Sequence, residues 1–398
     1  MSITTRILSA MGLEKRATLG IDGWPMPLAP GAVTPESAQS VAACYAAVAL
    51  IAEAIGSLPL KLYRRGDNGD RTPATDHPLH LVLHRSPNDH QSSTEFWEWM
   101  VSCMLLHGNA YARVTRGHDG QVRSLDPLAP ERVTIMRKGE AIGGYEYTTR
   151  DGQRERLLPG EVFHLRNRAG SDPLVGVSPI QAARAVIQLA QSEAQHGQST
   201  FDNGTRASGT LSMPGTLKPE QRTALAASWQ SQYAGGANAG RVPILEAGVT
   251  FNPISMSLDD SQWIEARAFS VQEVARLFKI PPVLLGDLSH ANFSNSTEMN
   301  RWFAVHTLGR HLSAIEGAIN RQLLTPQAAR TLYAEASLEG LLRGASTERA
   351  AFYGSAIASG WMKPSEARKL ENMPVMEGID DTPTTTAPAA HGSYPSKQ

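Results

Sequence analysis

His77, His80 and His84, in "DHPLHLVLH", stand at steps of three and four and share one face of a helix. Imidazoles at that spacing are how a helix presents ligands to zinc. No acidic or cysteine residue at ligand spacing completes the set, so the triplet reads as a helix face meeting a neighbour, and no metal site is assigned. Cys103 and His107 are four apart, as a nucleophile and its base can be, but Cys103 lies within the apolar run "WMVSCMLL", where a thiol is buried and inert. There is no G-x-x-x-x-G-K-[ST] loop, no G-x-G-x-x-G after a strand and no G-x-S-x-G elbow, since "GVSPI" lacks the last glycine. Asp259-Asp260 and Asp380-Asp381 are neighbours in sequence, better suited to a helix start and to solubility than to acid–base work. Phe96, Trp97 and Trp99 read as core or interface. The chain offers no catalytic site, and no cofactor is expected.

The elements that carry these residues are of both kinds. Residues 37–57, 77–84 and 94–106, the last capped by Thr94, read as helices, and "PLKLYRR" as a strand. "AYARVTR", "QVRSLDPL", "RVTIMRK", "GYEYTTR" and "EVFHLRN" read as strands joined by tight turns, which makes this part α+β. A long helix over 178–203 starts at the Ser178 cap with Pro179 at its first position and stops at Asn203-Gly204. Its small-residue stripe is Ile180, Ala183, Ile187, Ala190, Ala194, Gly197 and Phe201; Gln181, Gln188, Gln191, Gln195 and Gln198 lie opposite. Residues 205–256 form a small α/β insert. A second long helix, capped by Ser257, repeats the spacing with Ile264, Ala268, Val271, Ala275 and Phe278 before Pro281-Pro282 ends it. After a loop, Asn295 and Glu298 cap a third long helix, with Val305, Leu308, Leu312, Ile315, Ile319 and Leu323 on one face. Two short helices follow at 346–359 and 364–371.

The chain has 398 residues, 41% hydrophobic and 19% charged, enough for a sizeable core. Its 37 basic and 38 acidic residues give a formal charge of −1, which disfavours tight binding to nucleic acid. The two cysteines, Cys44 and Cys103, form neither a disulfide framework nor a zinc spacing, as expected for assembly in a reducing cytoplasm. The most apolar run, from Val41, is interrupted by Glu53 and Gly56 before it reaches the roughly 20 residues of a membrane span. No signal peptide is read at the amino terminus. Residues 1–36, rich in Pro, Gly and Ala, read as an arm that gains order from a neighbour, and the tail from Asp380 as disordered.

Several stretches, in order between about residues 38 and 378, resemble the portal proteins of long-tailed phages of the Hong Kong 97 type, including those of bacterial gene transfer agents. They are "VAACYAAVALIAEAIGSLPLKLYR", "HPLHLVLHRSPN", "EFWEWMVSCMLLHGNAYARV", "GVSPIQAA", "FDNGTRASGTL", "FKIPPVLLGD", "SNSTEMNRWF" and "GWMKPSEARKLENMP". Three places depart from the family pattern: Gly344-Ala345-Ser346 where an Asp is common, Ser365 where an Asn is common, and Glu377-Gly378-Ile379-Asp380 in place of Gly-Gly-Asp.

The resemblance implies a subunit of a ring, usually of twelve, at one capsid vertex of a phage or gene transfer agent particle. A terminase drives double-stranded DNA through the ring without sequence specificity, DNA is later ejected through it, and a head–tail adaptor docks on it. The implied partners are further copies of the chain, the major capsid protein, the terminase large subunit, the adaptor and DNA, with no membrane. The implied parts are an arm (1–36), a wing (37–177), a stem helix (178–203), a clip (204–256), a second stem helix (257–282), a tunnel loop (283–297), a wing helix with its following segment (298–339), a crown (340–378) and a tail (379–398). Ile180, Ala183, Ile187, Ala190, Ile264, Ala268, Val271 and Ala275 would pack the stem. His290, Asn292, Ser294, Asn295 and Ser296 would face DNA; with no Lys or Arg between Lys279 and Arg301, such a loop hydrogen-bonds to phosphates without the counterion release that grips them. Two rival readings are an interaction scaffold without a channel and a metal-dependent nucleic-acid enzyme using the three histidines. A closed ring excludes the first, and bound metal would favour the second.

Overall fold

In a computed structural model the described residues are 13–15, 33–66, 70–203, 209–212, 218–233, 250–253, 260–288, 296–338, 346–371, 373–374 and 376–381. The chain divides into two compact units, Met1–Ser337 and Leu338–Gln398.

The first unit is α+β. Strand β1 (Leu13–Lys15) is followed by α1 (Pro35–Ala38), whose cap is reciprocal: Thr34 Oγ1 accepts the Ser37 N–H and Ser37 Oγ accepts the Thr34 N–H. A turn separates α1 from α2 (Ala42–Gly56), so the helix expected over 37–57 is two. Next come β2 (Leu60–Arg65), β3 (Arg71–Pro73), α3 (Pro78–His84) and α4 (Ser93–His107). Ser92, not Thr94, caps α4, because only from position 92 does a glutamate fall three residues on. Glu95 Oε2 accepts the Ser92 N–H at 2.8 Å and Ser92 Oγ accepts the Glu95 N–H at 3.3 Å. Gly108, at φ 82°, then turns the chain into β4 (Asn109–Arg116).

The strands β5 (Val122–Leu128), β6 (Val133–Lys138), β7 (Ala141–Thr148), β8 (Arg154–Leu157) and β9 (Val162–Arg166) complete two antiparallel sheets, ordered β5-β4-β9 and β1-β6-β7-β8. The first packs on α4, where Phe96, Met100 and Met104 have no exposed surface and Trp97 meets Phe163 edge to face at 6.2 Å.

The helix expected over 178–203 is broken into α5 (Pro179–Ala182) and α6 (Arg184–Asn203) at Ala183, which stands at φ −112°, ψ 29°. Neither Gly nor Pro lies at the break to announce it. A small insert follows: β10 (Gly209–Ser212), α7 (Pro219–Tyr233) and β11 (Thr250–Pro253), the two strands pairing antiparallel. The second long helix is α8 (Asp260–Phe278); its expected cap, Ser257, lies outside the described residues.

Beyond it, α9 (Ser296–Trp302) runs into a π-helical segment, Phe303–Leu308, and then α10 (Gly309–Gln322). The π turn widens the helix by a residue and rotates the face preceding it. Val305, expected on the buried stripe, is therefore 53% exposed, while Phe303, Ala304 and Thr307 are buried. Past the π segment the expected stripe stands, with Leu312, Ile315, Ile319 and Leu323 all buried. Strand β12 (Leu332–Ala336) joins the third sheet, β12-β2-β3, and Arg71 pairs with Glu335 at 2.6 Å.

In the second unit α11 (Ser346–Ala358) and α12 (Pro364–Leu370) form a hairpin, linked by Tyr353 Oη–H donating to Glu371 Oε1 at 3.0 Å. Two of the family departures meet here: Ser365 donates from its N–H and its hydroxyl to the Asp380 carboxylate at 2.8 and 2.7 Å. Asp380, expected in the tail, thus lies in the middle of a short 3-10 turn over Ile379–Asp381.

Candidate functional site

Helices α6 and α8 pack along each other. Along the first strip Ile180 and Ile187 are fully buried, Ala190 and Gly197 are buried, Ala183 is half-buried and Ala194 is exposed. On α8 Ala275, Val274 and Phe278 are buried, Ala268 and Val271 are half-buried, and the Ile264 side chain lies outside the description. A polar contact ties the pair: Ser270 Oγ–H donates to Glu193 Oε2 at 2.5 Å. Four of the five glutamines of the opposite face, Gln181, Gln188, Gln195 and Gln198, are exposed. Gln191 is partly covered and donates to the Ser37 carbonyl of α1 at 2.5 Å.

The segment joining α8 to α9 begins with a helix stop built around a lysine. Lys279 takes φ 56°, the left-handed conformation usually left to glycine. Its N–H donates to Arg276 O and that of Ile280 to Ala275 O, the paired bonds of a Schellman cap, with Ile280 buried as the accompanying apolar contact. From the π segment Thr307 Oγ1–H donates to the Lys279 carbonyl, joining the two irregular backbone stretches that flank the loop. Pro282–Leu285 makes a 3-10 turn ended by Gly286 at φ 87°. A groove of about 790 Å³ between α8 and α9 is lined by Arg276, Lys279, Pro281, Met299, Trp302 and His306 among others. The expected DNA-facing residues His290, Asn292, Ser294 and Asn295 lie outside the described residues; Ser296 opens α9, with its side chain likewise undescribed.

A buried polar network, which reading by motif missed, lies at the start of α5 and the end of α10. His164 on β9 is 3% exposed. Its Nδ1 accepts from Tyr145 Oη at 3.2 Å and its Nε2–H donates to Asn109 Oδ1 at 3.0 Å, while Tyr111 stacks on the ring at 4.5 Å. Asn109 Oδ1 also accepts the Gly176 N–H at 2.8 Å, and its Nδ2 donates to Gly176 O at 3.1 Å. Two residues on, Ser178 caps α5 and donates its hydroxyl to Leu106 O at 2.6 Å. Gly176 must be glycine, because a Cβ there would sit 2.0 Å from Gly108 O. On the other side the Gln322 amide clasps the His164 backbone, accepting its N–H at 2.8 Å and donating to its carbonyl at 2.9 Å. Arg116 donates to Gln322 O at 2.8 Å and Leu323 O at 3.4 Å, capping the carboxyl end of α10. The start of α5 and the end of α10 are thus fastened to one sheet through Asn109 and His164. Burial, with Arg166 and Arg321 nearby, pushes the His164 pKa down to about 3, so the ring is neutral and both nitrogens have fixed roles. The signal in the sequence was the polar "HGN" between an apolar helix and an apolar strand.

The residues with catalytic spacing are held apart from chemistry. His77 caps α3, accepting the Leu79 N–H on Nδ1 at 3.2 Å, and His80 Nδ1 accepts the Leu62 N–H at 3.4 Å. The His80 and His84 rings lie 5.4 Å apart, and burial lowers the pKa of all three. Among the described residues no three His, Cys, Asp or Glu side chains are placed to hold a metal ion. Cys103 is buried and its thiol is pushed up to about 12, too high for a nucleophile. No described helix is long and apolar enough to cross a membrane.

Set beside known proteins, the chain matches the family described as "Phage portal protein" over residues 42–372. It is 32% identical over 356 residues to the portal protein of Enterobacteria phage HK97, covering 89% of this chain and 83% of that one. Among solved structures it is similar to a chain in the neck of a native gene transfer agent particle computed with C12 symmetry, at 26% identity and TM-score 0.58, over 94% of this chain and all of that one. It also shares the fold of an HK97-family phage portal protein from Corynebacterium diphtheriae, at TM-score 0.60 over 78% of this chain and 98% of that one, with 15% identity. The match takes in α2 through α12, the fastened sheet and both long helices included, and the chain belongs to the phage portal protein family.

Proposed function

We propose that this chain is the repeating subunit of a portal ring at the neck of a tailed-phage or gene transfer agent particle, through which DNA is packaged and ejected. The observation that carries this is near-complete coverage of a relative that sits in a C12 neck. Residues 37–177 and the helix after 297 act as the wing, 178–203 and 257–282 as the stem, 204–256 as the clip and 340–378 as the crown. Two long helices flanking a small α/β insert suit a stem with the clip at its tip, and the glutamine face of α6 offers neighbours a neutral, hydrogen-bonding surface. The loop over 283–297 faces the channel. It runs from the Schellman stop at Lys279 to α9, and the Thr307 hydroxyl of the π segment beyond α9 ties back to the Lys279 carbonyl. Asn292 and Asn295 guide DNA without fixed cations. The capsid protein, terminase and adaptor are the expected partners.

Electron microscopy of the purified chain, with particle mass measured in parallel, tests the reading. A ring of about a dozen copies with an axial opening supports it. A compact monomer at high concentration, with and without an assembling capsid, overturns it.

A further inference from the structure

We propose that strand β1 is an exchanged element: in the assembled ring it docks on the β6 edge of a neighbouring copy of this chain, an inference that rests on the ring reading above. In the sheet β1-β6-β7-β8, β1 holds the outermost place, with Leu13 opposite Lys138, Glu14 opposite Arg137 and Lys15 opposite Met136. Take β1 away and β6 becomes an open edge whose outward N–H and C=O groups are a template for any added strand. A three-residue strand makes too short a ladder to hold by itself, so its occupancy depends on how the arm is tethered.

The tether allows exchange. Seventeen residues, 16–32, separate Lys15 from Val33, and fully extended they reach roughly 55–60 Å, more than ten times the ~4.8 Å between paired strands. Pro25, Pro27 and Pro30 lie within them and lack the N–H that a ladder needs. Its far end is fixed: the Thr34–Ser37 cap starts α1, and Gln191 of α6 holds the Ser37 carbonyl. The arm therefore leaves from α1 where it is held to α6, beside the exposed glutamine face that the ring reading gives to the next copy. Every copy in a ring carries the same edge and the same strand. Docking on a neighbour repeats the contacts of docking at home and links each subunit to the next until the ring closes.

Register supplies the test. Cα atoms directly opposite in an antiparallel pair are about 4.5–5.5 Å apart, within the roughly 4.4–6.8 Å a disulfide spans. The native Cys44 and Cys103 are buried, with thiols pushed up to about 11 and about 12, and do not compete. Full-length chains carrying only Leu13→Cys are co-assembled in equal amount with chains carrying only Lys138→Cys, oxidised and run on a non-reducing gel, with ring mass read on the same sample. Exchange yields covalent pairs of one variant with the other, up to about half of the Leu13→Cys chains in random co-assembly. Intact rings without such pairs overturn the exchange alone. A chain carrying both substitutions then locates β1: a cross-linked monomer places it on its own sheet, and no cross-link removes the β1–β6 pairing itself. Absence of rings from the unsubstituted chain overturns the ring reading, independently of the gel.

Discussion

The β5-β4-β9 sheet with α4 and the α6–α8 pair are built on opposite plans. In the sheet region large side chains such as Phe96, Phe163, Met100 and Met104 are fully buried, and the buried polar groups of Asn109 and His164 all have partners. On the helix pair the buried residues of α6 are small or few, Ile187, Ala190 and Gly197, while Leu189 and Phe269 are more than half exposed. The first region is finished within one chain. The second leaves apolar and amide surface unsatisfied, as an element does when other copies complete it. Substitutions should therefore cost stability in the sheet and assembly in the helices.

The sharpest contrast is between two phenylalanines. Phe163→Ala opens a cavity under Trp97 and should cost about 3–5 kcal/mol in urea unfolding of the unassembled chain. Phe269→Ala, at a residue 54% exposed, should cost less than about 1 kcal/mol there and appear instead as loss of higher-mass species. Equal losses at the two sites in the unassembled chain would erase the distinction between the regions.

Next in size is the fastening itself. Asn109→Ala strands the His164 Nε2–H and both backbone groups of Gly176 without partners in a buried site, and should cost about 2–4 kcal/mol. Ser270→Ala removes one hydrogen bond between the long helices and should cost about 1 kcal/mol. Hydrogen exchange should show Asn109→Ala loosening both the start of α5 and the end of α10. Loosening confined to one of them would mean the sheet does not join the two.

The histidines give the same contrast a pH dependence. His164 is held near pKa 3 and His311, buried beside Arg310 and Lys279, near pKa 4. In the unfolded chain both titrate near 6.5. Above that pH both are neutral in either state and contribute no slope. Below it the unfolded chain takes up protons that the folded chain refuses, so stability falls by about 1.4 kcal/mol per pH unit for each, down towards the folded values. His164→Gln should lower stability at pH 7.5 yet flatten the fall between pH 6.5 and 5 in urea titrations. An unchanged slope would mean that His164 is protonated in the folded protein.

The sheet region was largely legible in the sequence because its signals are local. Strand-like runs joined by tight turns marked β4, β5 and β9, and Ser178-Pro179 marked the helix start. Features that depend on distant contacts were not legible. Strand β12 is short and finds its partner β2 about 270 residues earlier, so "LYAEA" alone does not announce a sheet. The π segment has no Gly or Pro within it, and its register shift is supported by Thr307 reaching Lys279, a contact across the loop. Asn109 and His164 look unremarkable in sequence because the role of each is set by a partner 55 residues away. For the candidate site, the helices were readable, whereas the loop residues His290, Asn292, Ser294 and Asn295 lie outside the described residues and rest on the family resemblance.

The smallest expected effect concerns the helix stop before that loop. A lysine in the left-handed region costs about 1 kcal/mol relative to glycine, and nothing about a Schellman cap requires a side chain at that position. Lys279→Gly should therefore leave the unassembled chain unchanged or stabilise it by up to about 1 kcal/mol, because the backbone bond of Ile280 to Ala275 and the Thr307 hydroxyl bond to the residue 279 carbonyl survive the change. The side chain lines the groove between α8 and α9 together with Arg276 and His306. If its charge serves the assembled particle, the same variant should lose packaging, or gain salt sensitivity, at undiminished stability. A loss of stability instead would show that the lysine stem packs in the groove and that the left-handed turn is held by the side chain and not by the backbone bonds.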